Sequence, residues 1–265
     1  MNVSRPLILI TNDDGFDAPG LRYLVKVALD LGEVVVVAPE KGMSGMGHAI
    51  TVREPLRMKK RNETAGLTEY SCTGTPVDAV KLGERLVLKR RPDLLLSGIN
   101  HGSNASVNVI YSGTMAAVIE GCIDGIPSIG FSLLDYSHHA DFSACGEWVM
   151  KVSGHVLEHG LPRGVCLNVN IPAIPAGDIR GMKVCRQADG AWEETFDVRQ
   201  DPYNQDYFWL TGRFNERVNG HDTDLVALRE GFVSVVPTHY DLTAMNAMEQ
   251  LRALDHQAGP TQNRE

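Results

Sequence analysis

Two runs of four consecutive aliphatic residues, Leu7-Ile8-Leu9-Ile10 and Val34-Val35-Val36-Val37, constrain the fold of this chain more than any other feature. Side chains on a strand point alternately to opposite faces, so an unbroken apolar run must be covered on both. Between the runs, Leu21, Leu24, Val25 and Ala28 fall on one face of a helical repeat, with Pro19 suited to the first turn and Asp17 placed to cap it. Strand, helix and strand within about 30 residues make one βαβ unit, which implies a parallel pair and a right-handed crossover.

The alternation continues. Ile50 to Cys72 is polar and alternating and reads as a peripheral hairpin, and Thr75-Pro76-Val77-Asp78 opens a helix. Leu94-Leu95-Leu96 is a third core strand, Thr114 to Cys122 a helix of small residues, and Ile126 to Leu133 a fourth strand. Phe142 to His159 is amphipathic and stops at Gly160; Val165 to Ile171 and Val233 to Val236 are further strands, and Leu242 to Leu254 is a last helix. The expected fold is α/β: a Rossmann-like, mostly parallel sheet with helices on both faces, in a single domain over residues 1–255. Residues 190–220 break the pattern with Trp192, Phe196, Tyr203, Tyr207, Phe208 and Trp209, and read as extended arms or a hairpin that buries its aromatics elsewhere. Residues 256–265 read as a frayed polar tail.

A chain of 265 residues can bury a full core. Its formal charge of −8 argues against binding a nucleic-acid duplex, whose protein footprint is normally basic. The same charge means that an anionic substrate needs a local positive centre, either a metal or clustered backbone N–H groups. The five cysteines show no CxxC pair and no zinc-like spacing, and read as reduced core residues of a cytosolic protein. Met1 to Arg5 lead straight into the first strand, so no signal peptide is expected, and no apolar run approaches the ~20 residues of a membrane span. A soluble, cytoplasmic protein is expected.

Ligands of open parallel sheets sit beyond the carboxyl ends of the strands. Three irregular segments leave such ends here: Asn12 to Asp17, Pro39 to His48, and Ser97 to Ser112. In the first, Asp13 and Asp14 place two carboxylates ~4–5 Å apart, a repulsion of about 4 kcal/mol at an effective dielectric of 20. A hard divalent cation such as Mg²⁺, Mn²⁺ or Ca²⁺ turns that repulsion into attraction, although Asn12-Asp13-Asp14-Gly15 also has the composition of a plain polar turn. The second segment carries three glycines that let backbone approach a ligand, but in neither Walker nor dinucleotide spacing. In the third, Asn100 offers an amide oxygen, and Tyr111-Ser112-Gly113-Thr114 enters a helix whose first N–H groups suit a phosphate or an ordinary serine cap.

Taken together, these segments carry a resemblance. Thr11-Asn12-Asp13-Asp14-Gly15 with Ala18-Pro19-Gly20, Ala38-Pro39 with Ser44-Gly45, Gly74-Thr75-Pro76 with Asp78, Ser97-Gly98-Ile99-Asn100-His101-Gly102, and Tyr111-Ser112-Gly113-Thr114 resemble, in order, the SurE family of metal-dependent 5′/3′-nucleotidases. The resemblance implies one divalent metal, Mg²⁺ or Mn²⁺, held by Asp13, Asp14, the Ser44 hydroxyl and the Asn100 side chain. It also implies phosphate contacts near Asn12, Gly45, Asn104 and Ser112-Gly113-Thr114, and a homodimer or homotetramer that exchanges C-terminal arms. Gly42-Met43, where members often carry basic or polar residues, and His48 depart from the pattern at the substrate loop.

The chemistry implied is hydrolysis of a nucleoside monophosphate, with Asp13 and Asp14 holding the ion and either one taking a proton from the attacking water. The acid that protonates the leaving oxygen is not legible; His48, His101, His221 and His239 each read first as structural, as does Asp241. An aspartyl-phosphate phosphatase with Asp13 as nucleophile, and a nucleotide sensor without turnover, are the competing readings.

Overall fold

The protein was analysed as a computed structural model that describes residues 5–137, 139–217 and 220–255. The tail expected at 256–265 lies outside those residues. In chain order the elements are β1 Leu7–Thr11, α1 Pro19–Ala28, β2 Glu33–Pro39, β3 Met58–Thr64, β4 Leu67–Cys72, α2 Pro76–Leu82, β5 Leu94–His101, α3 Asn108–Tyr111 and α4 Gly113–Ile123. They continue with β6 Ser128–Leu133, α5 Gly146–His159, β7 Val165–Ile171, β8 Met182–Val184, β9 Gly190–Gln200, β10 Asp206–Glu216, α6 Asp224–Arg229, β11 Val233–His239 and α7 Met248–Leu251.

Among the described residues, nine strands form one sheet in the order β3-β4-β2-β1-β5-β6-β7-β11-β8. β4, β2, β1, β5, β6 and β7 run parallel, while β3 and β11 pair antiparallel with their inner neighbours. The aliphatic runs behave as their alternation demands. Ile8, Ile10, Val34 and Val36 enter one core layer with α1 and α5, and Leu7, Leu9, Val35 and Val37 enter another with α2 and α4. From β1 the chain builds outward through β2 to β4, then returns to the other side of β1 as β5, so the strand order reverses between β1 and β5. A crevice opens at that switch, beyond the carboxyl ends.

Thr75 caps α2 with the expected box, its side chain accepting from the Asp78 amide while Asp78 accepts from the Thr75 amide. Gly160, at φ +70°, stops α5. Three local expectations change. Ala18, not Asp17, precedes α1, and no side chain caps that helix. Ser97 to His101 belongs to β5 rather than to a loop, pairing with β6 through an irregular register. Leu242 to Leu254 is not one helix: the single α-helical turn α7 lies between two 3₁₀ turns.

β9 and β10 form a separate two-stranded ribbon, the predicted arm. Its outer aromatics are left open by the described residues: Phe196, Phe208 and Trp209 are 64%, 60% and 59% exposed. All five cysteines are unpaired and buried. Among the described residues, no helix is long and apolar enough to cross a membrane.

Candidate active site

Backbone bonds first stitch the loops at the switch together. The Phe16 amide donates to Pro39 O and the Met43 amide to Asp13 O, both at 2.7 Å, which joins the segment after β1 to the one after β2. The Gly47 amide donates to Tyr111 O at 3.2 Å, joining the second loop to the entry of α4. The His101 amide, at the end of β5, donates to Asp14 Oδ2 at 3.2 Å. The segments singled out in the sequence therefore meet around one pair of carboxylates.

Asp13 is 3% exposed, and its Oδ1 accepts a hydrogen bond from the Thr114 hydroxyl. Burial, then the adjacent Asp14 carboxylate, push its pKa up to about 6 against that hydrogen bond. Burial raises Asp14 as well, opposed by the bond from the His101 amide. Helix α4 starts directly against Asp13. A Cβ on Gly113 would stand 2.7 Å from the Asp13 Cβ and 2.9 Å from its Oδ2, so glycine is required for this approach.

Asp13, Ser44, Gly45, Asn100, Asn104 and Ser112 line one cleft of ≈ 680 Å³. Asn100 Nδ2 donates to Gly102 O at 2.9 Å, which fixes the amide and leaves its Oδ1 as an acceptor. Ser112 Oγ accepts from the Met115 amide at 3.0 Å as the α4 cap, and its hydroxyl proton remains to be given. Other expected phosphate contacts take different positions. Asn12 is fully buried and its Nδ2 pins the turn through Gly15 O at 2.9 Å; Gly113 and Thr114 abut Asp13. None of those three lines the cleft.

Asn104 was singled out in the sequence, but the residues that hold it, Asn168, Asn170 and Ser132, and nearby Asp224 carried no notice there. Asn104 is held by an asparagine cluster: its amide N–H donates to Asn170 Oδ1 and its Nδ2 to Ser132 Oγ, both at 2.8 Å, and its carbonyl accepts from Asn168 Nδ2 at 2.8 Å. Two asparagines spaced by two in the otherwise apolar Val165–Ile171 strand were the available signal. Asp224, fully buried, accepts the Ser106 and Ala188 amides at 2.8 and 3.0 Å and fixes both loops beside the cleft. The root of the arm supplies a further wall through Trp192, Glu194 and Thr211.

Of the histidines considered, His101 lines the cleft with its ring edge-on to Phe142, centroids 5.0 Å apart. His48 lies 2.9 Å from Glu120 Oε2, and His239 lines a different, apolar groove. Asp241 accepts the Thr243 amide and hydroxyl at 2.9 and 2.6 Å, which is a turn.

Fold and site together define an α/β protein with a carboxylate pair buried at its topological switch point and a helix N-terminus beside it. Among the described residues no three His, Cys, Asp or Glu side chains gather as metal ligands. A cation here would therefore rest on two carboxylates and neutral oxygens, a hard donor set that suits Mg²⁺ or Mn²⁺ and not a zinc site of nitrogen and sulfur. The family model "Survival protein SurE" matches residues 8–194, which include every loop at the switch. A protein of Christiangramia forsetii named 5′-nucleotidase SurE is 54% identical over 253 residues, covering 95% of this chain and 97% of that one. One of the same name from Flavobacterium psychrophilum is 53% identical over 254 residues, covering 96% and 99%. The crystal structure of the SurE protein from Aquifex aeolicus superimposes with a TM-score of 0.82 at 38% identity, over 95% of this chain and all of that one. The chain belongs to the SurE family.

Proposed function

We propose that the protein hydrolyses nucleoside 5′-monophosphates, and 3′-monophosphates as a secondary activity, to nucleoside and phosphate. The observation that carries the reading is the Asp13-Asp14 pair. Asp13 is buried and pushed up to about 6 by burial and by the adjacent carboxylate of half-buried Asp14, and a cation against the pair would relieve that cost. Asp13, Asp14, Ser44 and Asn100 are the residues that would hold one divalent ion. When bound, such an ion neutralises phosphoryl oxygens and lowers the pKa of water.

The chain's own groups do the rest. The Ser112 hydroxyl, Gly45 and Asn104 line the cleft, where they take the remaining phosphoryl oxygens. The Thr114 hydroxyl holds the Asp13 carboxylate in place through Oδ1. Asp13, which lines the cleft, or Asp14 beside it would take a proton from water.

The arm's exposed aromatics support a homodimer or homotetramer in which a second copy covers them. Five buried, unpaired thiols, with Cys72 pushed up to about 11 and Cys145 to about 12 by burial, support a reducing cytoplasmic setting.

The test is phosphate release from a panel of nucleoside monophosphates by chelated protein reconstituted with Mg²⁺ or Mn²⁺. Release should depend on the metal and be abolished in Asp14→Asn. Nucleotide binding without turnover would show a sensor instead, and undiminished release by Asp14→Asn would refute the metal assignment.

A further inference from the structure

The cleft is larger than a phosphate and its cation require. At ≈ 680 Å³ it reaches from Asp13 and Ser112 to the root of the arm, where Trp192 and Glu194 of β9 face it. Trp192 is held in place yet open. Its Nε1 donates to Asn108 Oδ1 at 2.8 Å, Phe214 packs edge-on at 5.7 Å between centroids, and 42% of its surface stays exposed. An indole already fixed by a hydrogen bond and a ring neighbour offers its face to a ligand with little rotamer entropy left to lose.

Glu194 follows two residues later on the same face of the strand. Its cross-strand partner is Gly212, so no side chain stands opposite the carboxylate. That gap is enforced, because a Cβ at 212 would lie 2.5 Å from Glu193 O. The wall therefore combines a flat aromatic with a carboxylate that has open space beside it. A phosphate is repelled from such a wall, which orients the substrate with its phosphate at α4 and its base at the arm.

We infer that the root of the arm is the nucleobase site, with Trp192 stacking on the base and Glu194 reading its edge, so that guanine nucleotides are preferred. The inference rests on the nucleotidase reading. An ionised carboxylate only accepts hydrogen bonds. Guanine presents two adjacent donors, N1–H and the 2-amino group, and pairs with it through both. Adenine and cytosine set an acceptor nitrogen beside their amino group, and uracil flanks its one N–H with carbonyls; each of these turns a lone pair toward the carboxylate.

The experiment compares kcat/KM for GMP, IMP, AMP and UMP with that for ribose 5-phosphate, which has no base, in the wild type, Trp192→Leu and Glu194→Gln. In the wild type GMP leads, and IMP, which lacks the 2-amino group, falls below it. Glu194→Gln lowers the ratio of GMP to ribose 5-phosphate about tenfold and flattens the base ranking, whereas Trp192→Leu lowers the ratio for all four nucleotides by about tenfold, the worth of one stacked base. Ratios equal to those of the wild type in both variants, with ribose 5-phosphate still hydrolysed, overturn this inference alone. Failure to hydrolyse any of the esters, ribose 5-phosphate included, overturns the nucleotidase reading and the inference with it.

Discussion

His48 Nε2 lies 2.9 Å from Glu120 Oε2, and the other oxygen of that carboxylate takes the Lys81 ammonium. Glu120 is 5% exposed on α4, and the bond from His48, then that from Lys81, hold its pKa below the ordinary glutamate value against burial. The pairing matters because of where its partners sit. His48 ends the glycine loop that carries Ser44 and Gly45, and α4 is the helix that starts against Asp13. Gly45 and Gly47 both lie at positive φ, and ordering glycines costs more conformational entropy than other residues, so a side-chain tie at His48 adds to the backbone bonds that hold this loop.

Removing the tie should therefore loosen Ser44. His48→Ala is expected to raise the Mn²⁺ concentration that half-saturates phosphate release several-fold. It should cost only about 1 kcal/mol of stability, because the His48 side chain is 36% exposed and its pairing is partly screened. Metal titration of activity, with a thermal melt alongside, checks both numbers. An unchanged metal requirement would mean that the loop is held by its backbone bonds alone.

The buried carboxylate gives a pH dependence whose sign can be worked out. In the unfolded chain Asp13 ionises near 3.8, and in the metal-free fold at about 6, so between those values the folded state binds more protons. Its stabilising contribution is full below the unfolded value and is lost as pH rises through the folded one. Chelated protein should accordingly lose on the order of 3 kcal/mol from this group between about pH 4 and pH 7, because the two ionisation points stand roughly two pH units apart and each is worth about 1.4 kcal/mol. Asp13→Asn should flatten that slope and melt higher than the metal-free wild type at neutral pH, while losing metal-dependent activity. Denaturant unfolding at several pH values, with chelator and with Mn²⁺, measures it.

Gly113→Ala tests the approach of α4 to the carboxylate. The new methyl would enter a space already occupied by the Asp13 side chain, and overpacking of that kind costs about 1–3 kcal/mol. Because the displaced group is the proposed ligand, activity at fixed metal should fall more than tenfold. Gly154→Ala is the control: in the middle of α5, with nothing within 4 Å of the added carbon, it should stabilise the protein by about 0.5–1 kcal/mol. Equal melting and equal activity in the two variants would exclude any role for the close contact.

Part of what the sequence could reveal followed from side-chain pattern. Leu7 to Ile10 and Val34 to Val37 had to be buried strands, and the segments after them, with Asp13 and Asp14 in the first, had to emerge at one end of the sheet. Ser44 as a ligand came only from the family resemblance. What it hid was carried by backbone or by distance. Ser97 to His101 has no apolar run, yet its backbone still pairs with β6, and side-chain pattern is blind to that bond. Asn12 and Thr114 have the residue types of phosphate contacts, and no local spacing shows that the Asn12 Nδ2 bonds Gly15 O and the Thr114 hydroxyl bonds Asp13. The Trp192 wall is contributed by a segment more than 80 positions from Asn108, its hydrogen-bond partner, and no local spacing announces such a contact.

The outer part of the arm makes a separate prediction. Residues directly opposite on an antiparallel pair share a face, so Phe196 with Leu210 and Val198 with Phe208 make one apolar surface. These four residues are 60–64% exposed, and no other described residue of the chain covers them. A ribbon of this composition stays in solution only if another surface takes it, and an identical chain is the partner always present. Phe196→Glu with Phe208→Glu places two charges in that surface without disturbing any core contact. The double variant should elute as a smaller species by size exclusion with light scattering, and its sheet domain should melt within about 1 kcal/mol of a monomer's own stability. A wild type that is already monomeric at micromolar concentration would leave the exposed aromatics unexplained and remove the second copy from this account.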